Sequence, residues 1–368
     1  MLRMRAICAA VILCACCGAA AAQSGNKTSR PTEPSDTNSW KFAVSGDSRN
    51  CGDVVMPAIA AGAKKNGAAF YWHLGDLRKI SDIDEDILHQ PQYVSKPLSK
   101  AAYEDMAWDD FVKNQTAPFG NIPFYLGIGN HETVPPKTRD QFILQFADWL
   151  ERPDLRAQRL KDDPSDFRVK TYYHWIEHGI DFINLDNSVS DQFEDAQVTW
   201  LEKVLDADSS NPGIHTVVAG MHEALPESIS KDHSMNESRG GAESGARVYT
   251  DLLKLQNDGH KRVYVLASHS HYFMDGIFNT EYWRTHGGVL PGWIIGTAGA
   301  QRYVLPKDYS GAKAAETKVY GYLLATAKAS GEINFQFVRF SEQDIPSEIM
   351  QRYTPEFVHW CFAENSAF

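Results

Sequence analysis

Residues 122–132 read IPFYLGIGNHE. An apolar run rich in β-formers ends at a glycine and is followed by an amide, an imidazole and a carboxylate. The run predicts a buried strand, and the polar triplet then falls at its C-terminal end. The same arrangement recurs four times. Asp47 follows KFAVSG at 41–46, and Asp76 follows AFYWHLG at 69–75. His222 follows HTVVAGM at 215–221, and His269-Ser270-His271 follow VYVLAS at 263–268. The C-terminal ends of strands in open α/β sheets converge on one edge, where ligands bind. Five such blocks therefore predict one cluster. Its carboxylates, amide oxygen and imidazoles suit one or two first-row divalent or trivalent ions. Glycines before Asp47, Asp76 and Asn130 permit the tight turns such loops need.

Working outward, strand and helix signals alternate. A helix is expected at about 53–66, with Asp53 near its N-terminus. Helical periodicity returns at 138–150, 194–206 and 246–257. Residues 171–186 hold two β-rich runs around His178-Gly179, which predicts a hairpin. Strands are expected at 214–219, 263–267, 292–297, 319–327 and 333–340. This order implies a layered α/β fold with a mixed sheet or two sheets. A polar, mostly helical stretch at about 80–118 reads as an insertion near the mouth of the site.

The chain has 368 residues, 43% hydrophobic and 23% charged, ordinary values for a globular protein. Its net charge of −11 disfavours a general nucleic-acid binder. It does not exclude an anionic substrate, because bound cations reverse the sign locally. Residues 1–22 read as a signal peptide: Arg3 and Arg5, the apolar run 6–17, then Ala20-Ala21-Ala22. Release into the periplasm or the medium is the expectation. The rival reading is a lipid anchor through Cys16, since Leu13-Cys14-Ala15-Cys16 loosely resembles a lipobox. No segment is long and apolar enough to span a membrane. Residues 23–39 read as a polar linker and 40–368 as one folded domain. Beyond the signal only Cys51 and Cys361 remain, which excludes thiolate metal sites. Whether the two form a disulfide or stay separate thiols is left open.

The blocks GDSR (46–49), GDLRK (75–79), GNHE (129–132), GMHE (220–223) and SHSH (268–271) stand in the order of a known pattern. Together with the helix AQVTWLEKVL at 196–205, they resemble the calcineurin-like metallophosphoesterases, which include the purple acid phosphatases. The resemblance implies a two-sheet β-sandwich flanked by helices in four layers. It also implies two metal sites, holding Mn, Zn or Fe, bridged by Asp76. Asn130, His222 and His269 would complete one, and Asp47 and His271 would contribute to the other. A metal-bound hydroxide would attack the phosphorus of a small phosphate ester. His131 would assist the leaving group, and Glu132 would hold His131 in position.

Two positions depart from that pattern. Arg49 stands where the family has the histidine of D-x-H, and Lys79 where it has Asp or Tyr. Neither is a normal ligand. The expectation is one tight site and one weak or empty site, with Arg49 clamping the substrate phosphate. A phosphatase is the leading reading. A phosphodiesterase or nucleotidase, and a degenerate non-catalytic binder of metal and phosphate, are the alternatives. Elsewhere, His73, Trp72 and Trp108 read as packing residues, Arg78 as a solvated charge, and 227–245, which holds His233, as a loop after the His222 block that is either plainly solvated or overhangs the site to select substrate.

Overall fold

The structure is a computed structural model that describes residues 39–367. Residues 1–22, expected as a signal peptide, and nearly all of the expected linker lie outside the described residues. The first strand begins at Trp40.

Two sheets form the body. In the first, β1 (Trp40–Ser45) pairs in parallel with β2 (Ala68–His73), which pairs in parallel with β3 (Phe124–Leu126). In the second, the hairpin of β4 (Tyr173–Glu177) and β5 (Ile180–Asn184) leads into parallel β6 (Thr216–Met221) and β7 (Arg262–Ala267). The antiparallel β8 (Phe273–Asp275) and β9 (Gly292–Ile295) follow, then β10 (Ala314–Glu316) on the edge. The chain returns to the first sheet as β11 (Tyr320–Ala327), antiparallel to β1, and β12 (Ile333–Phe340), antiparallel to β11. The orders are β12-β11-β1-β2-β3 and β10-β8-β9-β7-β6-β5-β4. The expected two-sheet sandwich flanked by helices is therefore present.

Period-two alternation builds the layers. Phe42, Val44, Phe70 and Trp72 face the second sheet and meet Phe182, Val218 and Leu266. Their neighbours Ala43 and Tyr71 point the other way, into a core with Val55 and Ile59 of helix Gly52–Lys65. On the far side, Val217, Ala219, Val263 and Val265 pack against helices Asp195–Ser210 and Arg239–Asn257. Aromatic rings dominate the middle layer; Tyr125 stacks on Trp175 at 3.9 Å between centroids. Each buried strand carries apolar residues on both faces, which is why it reads as a continuous hydrophobic run.

Two expectations need correction, and the question left open for the two cysteines is answered. Arg78 is fully buried, paired with Asp53, Asp84, Asp86 and Asp110. The last three belong to the helical stretch after β2, so the guanidinium docks that insertion onto the body. Asp53 serves this cluster, donating its backbone N–H to Asp86 and accepting the Tyr353 hydroxyl. The helix expected at 246–257 begins at Arg239, capped by the Ser238 hydroxyl, so residues 239–245 of the expected loop are helical. Cys51 and Cys361 are bridged, which ties the loop after β1 to the final helix Pro355–Ala363.

Candidate metal centre

The ends of β1, β2, β3, β6 and β7 bring the five blocks to one edge. Their loops are stitched by the backbone: Asp47 N–H donates to Gly75 (3.0 Å), Ser48 N–H to Asp76 (3.0 Å) and Ser268 N–H to His222 (2.8 Å). Asp47, Asp76 and His269 all adopt left-handed backbone, with φ of 62°, 59° and 63°. That conformation costs a non-glycine residue about 1–2 kcal/mol. Three such residues at one edge of the sandwich mark a place where strain aims side chains. Gly129 is required by close approach, because a Cβ there would sit 2.3 Å from Asp76 Oδ1.

The donor atoms form two groups that share Asp76: Asp76, His222 and His269, and Asp47, Asp76 and His271. Within each, the candidate atoms lie within 4.8 Å of one another. In the first group, His222 Nε2 lies 3.3 Å from Asp76 Oδ1, 3.0 Å from Asn130 Oδ1 and 3.0 Å from His269 Nδ1. In the second, His271 Nε2 lies 3.2 Å from Asp47 Oδ1. Outer contacts fix the rings. His222 Nδ1 faces the Leu74 carbonyl at 3.1 Å, and His271 Nδ1 faces the Gln301 carbonyl at 2.6 Å. Each ring then donates outward and turns a lone pair inward.

Burial and charge set the protonation. Burial pushes His269 and His271 well below the usual histidine range, with His222 and Arg49 respectively adding to it. Burial raises Asp76 too, but the surrounding His222, His131, Arg49 and His269 outweigh it and hold it far below the carboxylate range. Asp47 is pushed up to about 6, chiefly by burial. Neutral imidazoles beside an ionised carboxylate are the state in which these side chains ligate. Asp76 Oδ2 is buried and has no hydrogen-bond partner. The other Asp76 oxygen, Oδ1, lies 3.3 Å from His222 Nε2, which in turn faces the Asn130 amide oxygen, and a carboxylate oxygen beside imidazole and amide donors fits a metal ion.

Arg49 and His131 lie beside this cluster. Arg49 Nε is 3.4 Å from Asp76 Oδ2, one Nη is 2.9 Å from His271 Nε2, and the other contacts His131 Nε2. His131 Nδ1 contacts the Lys79 carbonyl, and its backbone N–H donates to Asp76 Oδ1 (3.0 Å). Glu132 does not hold the His131 ring. Its carboxylate accepts from the N–H groups of Asp76 (2.9 Å), Leu77 (2.9 Å) and Gly129 (2.8 Å), so it locks two ligand loops together. Lys79 turns its ammonium to Asp82 (3.4 Å), away from the donors.

Two neighbours lie outside the predicted set of site residues. Tyr303 stacks on His271 (4.0 Å, 28°), and His233 stacks on Tyr303 (4.9 Å, 25°). His233 comes from the stretch read as a solvated or overhanging loop and also approaches His269 (5.6 Å). Its place in a polar stretch after the His222 block was the sole signal. Tyr303 had none, being an isolated tyrosine beyond β9.

No protein-family model matches the sequence, and no curated protein does. Solved structures match it in shape. One is a purple acid phosphatase from seeds of yellow lupin (Lupinus luteus), with a TM-score of 0.52, 15% identity and coverage of 82% of this chain and 51% of that one. This chain thus spans about half the length of the lupin protein. Two others lie below a TM-score of 0.5. GAP50, described as the anchor in the inner membrane complex of Plasmodium, gives 0.47 at 11% identity over 89% and 96% of the two chains. A dimetal phosphatase from Danio rerio gives 0.46 at 12% identity over 82% and 99%. At such identities the likeness concerns the fold alone. That fold is the one of the calcineurin-like metallophosphoesterases.

Proposed function

We propose that the chain is an exported, metal-dependent phosphoesterase acting on small phosphate esters, in the periplasm or outside the cell. The observation that carries this reading is the meeting of Asp76, Asn130, His222 and His269 with His131 at one edge of the sandwich, where the strand ends of both sheets come together. Asp76, Asn130, His222 and His269 would hold a divalent or trivalent ion, of the Mn, Zn or Fe kind. Such an ion supplies Lewis acidity and an acidified water. The protein's own part is positional. Glu132 fixes the two loops that carry Asp76 and Asn130. The Lys79 carbonyl holds His131 Nδ1 as a donor, while Nε2 accepts from Arg49; Nε2 would pass a proton to the departing oxygen once the ring is protonated and released from that contact. Arg49 offers planar N–H donors to phosphoryl oxygens.

Among the described residues no helix is long and apolar enough to cross a membrane. Export rests on residues 1–22, and a lipid anchor at Cys16 is the variant form of that proposal. A non-catalytic binder is the second reading. It is favoured by the guanidinium packed against Asp76 and His271. Protein lacking residues 1–22 is assayed on an aryl phosphate and an aryl phosphodiester, after chelation and after resupply of Mn, Zn or Fe. Metal-restored turnover that falls about 10²–10⁴-fold in His131→Ala, with metal retained, is expected. Tight metal binding with no turnover on a wide ester panel would favour the binder. The better of the two esters separates phosphatase from phosphodiesterase.

A further inference from the structure

We infer that Arg49 takes the place of one of the two metal ions, so that the chain binds a single ion and completes its phosphate site with a guanidinium. This rests on the phosphoesterase reading for its purpose, although not for its geometry.

Asp47, Asp76 and His271 converge as a second metal group would, with donor atoms within 4.8 Å of one another. Yet two of the three already face a cation. The inward lone pair of His271 Nε2 receives an Arg49 Nη at 2.9 Å. Asp76 Oδ2 faces Arg49 Nε at 3.4 Å, while Asp76 Oδ1 faces His222. The two oxygens of one carboxylate thus look toward two cation positions, one of them filled by a side chain. Arg49 is not a surface residue that happens to reach inward; only 11% of its side chain is exposed. The chain leaves β1 and passes through left-handed Asp47 and Asn50 (φ 62° and 66°) on either side of it. The disulfide at Cys51 then anchors the same loop. Tyr303 lies against His271 from outside and brings its hydroxyl beside the guanidinium.

The chemistry follows from the residue type. A guanidinium keeps its proton at any physiological pH and has no lone pair to offer a metal. An ion bound by Asp47, Asp76 and His271 would have to displace it from both partners and then stand beside its charge. With the guanidinium in place, the position still neutralises and orients phosphoryl oxygens through paired N–H donors. It supplies no acidified water, so that role falls to the position built by Asp76, Asn130, His222 and His269.

The test counts and locates ions. Purified protein is loaded separately with Mn, Zn and Fe, freed of loose metal, and its metal content is measured beside that of Arg49→His and Arg49→Ala. Anomalous scattering from crystals locates the bound ions. One ion per wild-type chain is expected, at Asp76, Asn130, His222 and His269. A second is expected in Arg49→His, at Asp47, Asp76 and His271. Two ions in the wild type would overturn the inference while leaving the phosphoesterase reading intact. A wild-type peak at the Asp47 position would do so even if neither variant folds. Folded variants that still bind one ion would also overturn it, since the position would then not be metal-competent. One ion with no turnover on any ester would instead count against the phosphoesterase reading and leave the stoichiometry standing.

Discussion

Arg49 and Arg78 are both buried arginines, each a few residues beyond a neighbouring parallel strand, and they behave in opposite ways. Arg78 is enclosed. Its two Nη atoms bond Asp53, Asp86 and Asp110, with Asp84 at 3.5 Å. Those carboxylates are further bonded by Gln90, Gln115, Tyr103 and Tyr353. Burial pushes Asp53 and Asp86 up, against the pull of Arg78, so the cluster depends on its one enclosed cation. The Nε of each arginine lacks a hydrogen-bond partner, so the difference lies in the carboxylates: Asp76 Oδ2 has none, whereas every carboxylate oxygen around Arg78 has one. A network whose acceptors are all bonded fixes structure, whereas one with a spare acceptor is free to take a ligand.

The widest separation between the two comes from removing each cation. Arg78→Met leaves several buried carboxyls without a counter-charge, and breaking a buried network in this way costs about 3–5 kcal/mol. Urea unfolding should show a lowered midpoint, and the helices at 85–111 should become protease-sensitive before the body unfolds. Arg49→Met should barely move the midpoint in metal-loaded protein, because its partners are donors that an ion satisfies. Equal destabilisation by both substitutions would erase the distinction.

The Cys51–Cys361 bridge bears on the open side of the comparison. It spans 310 residues of sequence and holds the loop that carries Asp47 and Arg49. Cys51→Ser should lower stability by about 2–4 kcal/mol. It should also weaken metal binding, measured by competition with a chelator. A stability loss with unchanged metal affinity would mean that the strands alone position the loop.

A second buried network, near β4, titrates. His174 bonds Asp181 through Nδ1 (2.7 Å) and Asp162 through Nε2 (2.6 Å). Burial works against its charge, but Asp181 and Asp162 outweigh burial and push it up to about 10, against an ordinary 6.5. A raised histidine stabilises fully below its unfolded pKa, and the contribution is lost as pH rises through the folded value. The stability gap between wild type and His174→Gln should therefore be widest at pH 6 and narrow toward pH 10. Asp208, pushed up to about 8 by burial and Asp181, titrates in that window, so the variant is the necessary reference. A gap that widens with pH would show His174 to be neutral in the folded protein.

The open network was legible in the sequence and the closed one was not, for a physical reason. Asp47, Asp76, Asn130, His222, His269 and His271 each end an apolar strand run, so periodicity and topology together bring them to one edge. Their separation along the chain does not matter, because parallel strands align their ends. Arg78 follows a strand just as they do, but its partners sit on helices whose docking has no periodic signature. Its charge therefore read as solvated. Glu132 was read as a support for His131 because the two are adjacent, whereas its carboxylate points back to the Asp76 loop. Tyr303 reaches the site through the long connection between β9 and β10, and nothing local marks such a residue.

Tyr303 gives the smallest expected effect and the finest division of the open site. It touches that site in two ways: its ring stacks on His271 at 4.0 Å, and its hydroxyl lies beside Arg49. Tyr303→Phe keeps the stack and removes the hydroxyl. A single hydrogen bond contributes about 0.5–1.5 kcal/mol, which corresponds to a roughly two- to tenfold loss in kcat/KM. Metal content should not change, since Tyr303 is not among the candidate donors. Tyr303→Ala also removes the ring that backs His271 and supports His233, and it should cost more. If the two variants lose equally, the hydroxyl accounts for the whole effect and acts through the guanidinium. If Tyr303→Phe is silent and Tyr303→Ala is not, the ring is a wall that keeps His271 in register. Arg49 would then be held by Asp76 and His271 alone.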